Sequence, residues 1–414
     1  MKIRYSLVFL LLISYQAFSQ ISNTTFSPYS MFGLGRYNEN NTGVTNSLGR
    51  SGVALASEYE INGLNPASLA AMGRTSFFFD IGLKAEYDLY ANRKESNSNE
   101  TLYNFTNISF AFPVGKKSAF SISLMPYTEV GYFFKGIVTD VEGSSTGATS
   151  TIVGKGGLNN FNINYGRQIN SKLSLGIAAK YYFGTINQTE YVTIDSDLLS
   201  IEDKNYYKGV RFETGLQYLL SDKLSLGGVV SFPTILSGSK DREVSRLESD
   251  ASTVIDQNNG VKLDDYNIPL EVTAGIKYKF KDFSLITDYK RTFWSSAHMA
   301  DNIGKYVDSN VLGLGLEYFK KKTIGLKTKP GFRYRLGFNY DDGNLEVKKS
   351  KISNSLVTAG LGIPFGKNTN TFMNISYSFG SKGFISNTLI RENYHAITIN
   401  LSFEDLWFQK RLFD

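Results

Sequence analysis

The chain has 414 residues, no cysteine, and only two histidines, His298 and His395. A disulfide framework and a cysteine-ligated metal site are thereby excluded, and neither a histidine metal cluster nor any other cofactor is expected. Net charge is +6, aromatic residues make up 14%, and mean hydropathy is −0.20. That balance excludes a bundle of apolar spanning helices. With no basic cluster on a helix or beside stacking aromatics, it gives no footing for a nucleic-acid partner.

Residues 1–19 read as a signal peptide. Lys2 and Arg4 supply the positive start, Tyr5 to Ile13 the apolar core, and Ala17-Phe18-Ser19 the small residues of a cleavage site. The apolar run is far shorter than the ~20 residues of a spanning helix. No cysteine follows it, so lipid attachment is not expected.

Residues 20–74 lack any period-two pattern and are punctuated by Gly33, Gly35, Gly43, Gly49, Gly52 and Gly63. This is expected to be a plug inside a larger structure rather than a strand. Gly33-Leu34-Gly35 is too incomplete for a dinucleotide fingerprint, and Gly362-Ile-Pro-Phe-Gly-Lys367 has the wrong spacing for a phosphate loop.

From residue 75 to 403 the chain alternates. Leu173, Leu175, Ile177, Ala179, Tyr181 and Phe183 form one face of a segment, and Ser174, Gly176, Ala178, Lys180 and Tyr182 the other. One face suits lipid and the other a polar lumen, the pattern of a transmembrane β-barrel. Fourteen such segments begin with Ser76–Tyr90, Leu102–Val114, Ala119–Phe134, Thr149–Gln168 and Lys172–Asn187. They continue with Tyr206–Leu219, Leu224–Leu236, Asn267–Phe280 and Phe283–Phe293, and end with Val307–Phe319, Gly331–Tyr340, Ser353–Phe365, Thr371–Gly380 and Tyr394–Phe403. Short links such as Gly115–Lys117 alternate with long ones such as Gln188–Asn205 and Ser237–Tyr266. The predicted fold is all-β, a 14-stranded antiparallel barrel with the plug in its lumen. Short turns and both termini are expected in the periplasm of a Gram-negative cell, with the long loops outside. Residues 404–414 are expected to form a periplasmic tail that packs under the barrel or docks a partner.

Parity assigns Lys180, Arg211, Glu213, Glu271, Lys277, Asp288, Lys290, Glu317, Arg333 and Arg335 to the lumen. A salt-bridged interior holding the plug is the first reading, and a ligand carboxylate met by Lys180, Arg333 or Arg335 the second. Glu58 and Glu60 are expected to pair with lumen cations, because unpaired buried charge is costly. Lys320, Lys321, Lys322, Lys327 and Lys329 gather at one expected periplasmic turn, the longest of that set, as a solvated surface or a contact for anionic lipid headgroups. His395 shares the lipid-facing parity of Ile397 and Ile399, and His298 lies in a loop near Ser295 and Ser296. No spacing ties either histidine to a nucleophile and an orienting carboxylate, so no enzyme is expected.

Gly49-Arg-Ser-Gly-Val-Ala-Leu-Ala56, followed by Asn62-Gly-Leu-Asn65-Pro66-Ala67-Ser68, resembles the N-terminal hatch of the FadL-type fatty acid transporters of the outer membrane. Ser27-Pro-Tyr-Ser30, Pro126-Tyr127 with Gly131-Tyr132, and Gly154-Lys-Gly-Gly-Leu-Asn159 are similar to FadL-like barrels of Bacteroidetes. The resemblance implies passive uptake of small hydrophobic molecules, with release into the bilayer through an inward kink of the third strand. Pro126 lacks the N–H a ladder needs, and Gly131 is expected to ease the same distortion; Pro233 is a competing kink nearer a strand end. The charged lumen departs from a greasy pocket. The alternative reading is an accessory barrel subunit of an outer-membrane assembly or secretion complex. Expected partners are outer-membrane lipid and either a hydrophobic ligand or other outer-membrane barrels and periplasmic proteins.

Overall fold

The computed structural model describes residues 25–38, 42–73, 76–91, 98–115, 117–139, 147–194, 197–248, 251–299, 304–324, 327–365, 371–386 and 389–406. The signal peptide, the first residues of the expected plug and the end of the expected tail lie outside them.

Fourteen antiparallel strands close into a barrel. In chain order they are β1 (Ser76–Ala91), β2 (Ser98–Gly115), β3 in two parts (Ser118–Pro126 and Thr128–Thr139), β4 (Ala148–Gln168) and β5 (Leu173–Ile194). Then come β6 (Asp197–Ser221), β7 in two parts (Leu224–Ser231 and Thr234–Leu247), β8 in two parts (Tyr266–Ile268 and Glu271–Phe280) and β9 (Phe283–Thr292). β10 (Ser309–Phe319), β11 (Arg333–Asp341), β12 (Asn354–Phe365), β13 (Thr371–Lys382) and β14 (Arg391–Leu406) complete the wall. Each pairs with the next, and β14 returns to β1 in register from Ser76↔Leu406 to Ala91↔Arg391. Closure satisfies the backbone groups that an open edge would leave bare in lipid. No helix among the described residues is long and apolar enough to cross a membrane; the strands do so, and the closed barrel places the chain in the outer membrane.

Side-chain parity follows the alternation. Phe332, Tyr334, Leu336, Phe338 and Tyr340 are exposed on the outer face, while Arg333, Arg335 and Asn339 between them are buried. Val210, Phe212 and Leu216 likewise point out, with Arg211, Glu213 and Gln217 buried.

The strand ends differ from expectation on one side of the barrel. The links expected at Gln188–Asn205 and Ser237–Tyr266 are largely strand. β5 and β6 have 22 and 25 residues, and Thr234–Leu247 forms a hairpin with a further strand, Ser252–Lys262. Beyond the bilayer both faces meet water, so the lipid-imposed alternation that located the strands fades. β14 also continues to Leu406, into the stretch expected to be tail.

Candidate functional site

The lumen is filled by residues of the N-terminal segment, and their contacts define the site in three levels. The level nearest the short turns is ionic. Glu60 accepts from Arg333 Nη1 at 2.5 Å and from Asn374 Nδ2 at 2.5 Å. Arg335, whose side chain is fully buried, donates from Nε to Glu317 Oε2 at 2.8 Å and from Nη1 to Asn374 Oδ1 at 2.7 Å. The Arg333 guanidinium lies 4.2 Å from the Phe319 ring centroid and 4.6 Å from that of Phe372. These rings exclude water, so each cation here depends on its carboxylate. Glu58 is exposed; Glu60 is the acidic residue of the segment that reaches the lumen arginines.

The middle level is steric. Asn65 caps the short 3-10 helix Pro66–Ala71, accepting from Ala67 N at 3.0 Å. Its amide donates to Val53 O and to Leu216 O, both at 2.9 Å. Pro66 and Ala67 are buried beside it. The helix lies on glycines that the sheet register lines up side by side: Gly166↔Gly176 between β4 and β5, then Gly176↔Gly215 between β5 and β6. A Cβ at Gly166 would strike Pro66 O, one at Gly176 Ala67 N, and one at Gly215 the Asn65 side chain. The paving continues round the wall, with Gly227 under Val53, Gly313 under Ser51, Gly337 under Gly49 and Gly360 under Ser47. Polar contacts fix the segment on this belt. Asp288 Oδ2 accepts from Gly52 N at 2.6 Å and Val53 N at 2.9 Å, and Thr358 Oγ1 accepts from Gly49 N at 3.0 Å.

The level nearest the long loops surrounds a break in the wall. β2 and β3 pair only as far as Ile108↔Leu124. Past Pro126 the upper half of β3 pairs with β4 and, on its other side, with the two residues Arg36 and Tyr37 of the N-terminal segment. Residues 98–107 of β2 pair, among the described residues, with β1 alone. Charged side chains fill the break from within. Arg36 Nη2 lies 2.7 Å from Glu86 and 2.9 Å from Glu129. Lys84 lies 3.1 Å from Glu86, and Asn38 and Asn104 donate to Glu129 Oε1 at 3.0 and 2.9 Å.

Gly131 is placed differently from its expected role. Its φ is not in the left-handed region, and the wall distortion falls across the ladder at Gly156 and Gly157, with φ of 116° and 139°. Gly131 instead admits the Thr25 backbone, which a Cβ there would overlap, and it exchanges hydrogen bonds with Ser30 Oγ. At the competing position, Pro233, pairing with both neighbours resumes after the break.

Lys180 and Glu213 pair at 2.7 Å, and Arg211 donates to Phe232 O and Pro269 O at 2.9 and 2.7 Å. With Tyr37, Tyr127 and Tyr182 they border an internal cavity of about 260 Å³. Tyr37 packs edge-on against Tyr127 and tilted against Trp294, with ring centroids 5.4 and 5.3 Å away. Leu34, fully buried, sits in the same apolar cluster as Tyr182, Tyr266 and Trp294. His395 Nδ1 is 2.7 Å from Tyr377 Oη on the outer face, and His298 Nδ1 is 2.9 Å from its own loop's Ser296 O. Neither meets a nucleophile with an orienting carboxylate among the described residues. Among the described residues there is no cluster of three or more His, Asp or Glu able to hold a metal.

The lock at the break is not among the residues that parity singled out. Lys84, Glu86 and Asp88 share the inward parity of β1 and were legible as a charged row. Their partner Arg36 carries no local signal.

Solved structures of similar fold include the Pseudomonas putida toluene transporter TodX, with 15% identity, TM-score 0.61, and 90% of this chain and 100% of that one covered. The Ralstonia pickettii toluene transporter TbuX gives 18% identity, TM-score 0.59, and 88% and 98% coverage. A Pseudomonas aeruginosa FadL homologue gives 11%, 0.61, and 89% and 99%. At these identities the likeness is one of fold. No protein of curated function matches the sequence. A family model described as BamG matches residues 1–414. The expected membership, a FadL-like transporter of the Bacteroidetes kind, is corrected by that match; what the chain has in common with the transporters above is the fold.

Proposed function

The chain belongs to the BamG family, and from that premise we propose that it is a non-transport accessory barrel subunit of an outer-membrane protein assembly complex. The uptake of hydrophobic molecules with lateral release, expected from the FadL resemblance, is overturned by the same full-length family match.

The observation that carries the reading is the filled break. A hydrophobic molecule leaving through the wall would have to separate Arg36, half-buried, from the buried Glu86 and Glu129. Breaking a buried pair costs about 3–5 kcal/mol, which suits a permanent closure better than a passage. The proposed roles follow. Residues 20–74 serve as a fixed plug. Asn65, Pro66 and Ala67 are its footing, and Lys180, Arg211, Glu213, Glu317, Arg333 and Arg335 its polar frame. The short turns and the end of β14 face the periplasm and the long strands face outward, while Thr25 lies in the half of the lumen nearer the long loops. Partners are outer-membrane lipid and other outer-membrane or periplasmic proteins.

Purification from native membranes in mild detergent tests this. Other outer-membrane assembly subunits at fixed stoichiometry are expected, and depletion of the chain should slow maturation of other barrels. A lone barrel, whose loss leaves barrel maturation unchanged, would sink the reading. For orientation, Asn258→Cys in this cysteine-free chain should react with an impermeant maleimide on intact cells; protection there with labelling at Lys117→Cys would reverse it.

A further inference from the structure

One side of the barrel is built far past the bilayer. About 9–11 residues span a membrane as a tilted strand, whereas β4, β5 and β6 have 21, 22 and 25. The surplus stands off the long-loop end as a continuous sheet. Residues 198–208 of β6 pair with 237–247 of β7, and these pair in turn with Ser252–Lys262.

That last strand ends the sheet. Among the described residues it is paired on one side only, and all eleven of its residues are exposed. About half of their N–H and C=O groups therefore turn to the open side, as in any strand edge. Folded proteins guard such edges with proline, with lysine along the strand, or by keeping it short. From Ser252 to Lys262 there is no proline, and the two charges are Asp256 and, at the strand's end, Lys262. Val254, Ile255 and Val261 are 52%, 55% and 47% exposed. The two register shifts of the hairpin, one leaving Ile255 unpaired, add twist on the inner side. They do not cap the outer groups.

We infer that Ser252–Lys262 is completed by an extended segment of a different protein, which adds a strand to this edge backbone to backbone. The inference rests on the assembly-subunit reading and names where one partner binds. The occupant's chemistry follows from the edge. Of the neighbouring charges, Asp203 lies 3.5 Å from Lys240 and 3.4 Å from Arg242. The strand itself is close to neutral, so recognition is by main-chain hydrogen bonds and β-branched contacts rather than by charge. A proline-free, β-branched, weakly charged segment fits. A second copy fits less well. A copy in the same membrane and orientation presents this strand running in the same sense, which leaves the edge only the less stable parallel pairing with itself.

Hydrogen exchange tests it on the native complex in mild detergent and on the barrel stripped of its partners. Amides within 252–262 should exchange freely in the stripped barrel and at least tenfold more slowly in the complex, at both 0.15 M and 1 M salt. Asp256→Pro and Gln257→Pro then probe adjacent N–H groups that point to opposite sides. One weakens the hairpin; the other should release the partner from a barrel of unchanged heat stability. Equal exchange in the two preparations, or retention of the partner in both variants, overturns the proposal. If partners remain while 252–262 exchanges freely, this edge is removed from an assembly that still stands. A lone native barrel with a fast-exchanging edge removes both ideas. Protection within a homodimer would assign the edge to a second copy and overturn the heterologous partner.

Discussion

Glu60 and Arg333, 273 positions apart in sequence, meet at 2.5 Å inside the barrel. The carboxylate belongs to the N-terminal segment and the guanidinium to β11, so the pair ties the lumen filling to the wall. Glu60→Ala leaves Arg333 and Arg335 with Glu317 as their remaining carboxylate. The expected loss is about 3–5 kcal/mol, read as a lower urea midpoint or a lower temperature for the gel-mobility shift of the folded barrel. An unchanged midpoint would show that the pair is not structural.

The glycine footing predicts a sharp contrast between faces. Gly176→Val and Gly215→Val put side chains into Ala67 and Asn65. Overpacking costs typically 1–3 kcal/mol, and here it should also expose residues 62–68 to protease. Gly228→Ala is the control, because its Cβ would meet only Leu216 at 3.5 Å. Equal protease resistance in all three variants would argue against the close approach.

Arg36→Ala should open the wall break. The wild-type barrel is expected to be electrically silent in a planar bilayer, and the variant to show transient conductance, since Glu86 and Glu129 then repel across the gap. A conducting wild type, or a silent variant, would disprove the lock.

Gly131→Val separates two roles for one residue. If the glycine admits the Thr25 backbone, the valine should displace residues 25–30 and make them protease-sensitive while the β3–β4 register persists. If it eases the strand distortion, the register itself should change, visible as altered exchange across residues 148–156. The first outcome is expected.

The wall was legible because lipid constrains one face of every strand. Phe332 to Tyr340 could alternate only one way, and the short links fixed which strands are neighbours. Where lipid stops, so does the signal, and residues 188–205 and 237–266 therefore read as loops. Inward parity identified Arg333 and Glu213, but partners such as Arg36 for Glu129 lie on a segment without periodicity. Gly131 illustrates a further limit: a glycine at a kink reads alike whether it relaxes the backbone or makes room for another chain segment. The family was hidden for a related reason, since Asn65-Pro66-Ala67 answers to the geometry of a glycine-paved lumen and not to what the barrel is used for.

The chain closes around its own beginning. Residues 47–67 rest on glycines from Gly166 of β4 to Gly360 of β12, a surface that does not exist until most of the wall has paired. Yet these residues are made and exported before any of those strands. Their footing on Gly166, Gly176 and Gly215 needs β4 to β6, and the last of it needs β12. Withdrawing them afterwards means unzipping the cylinder. Wall and filling therefore melt as one cooperative unit, like a bolt cast inside its housing.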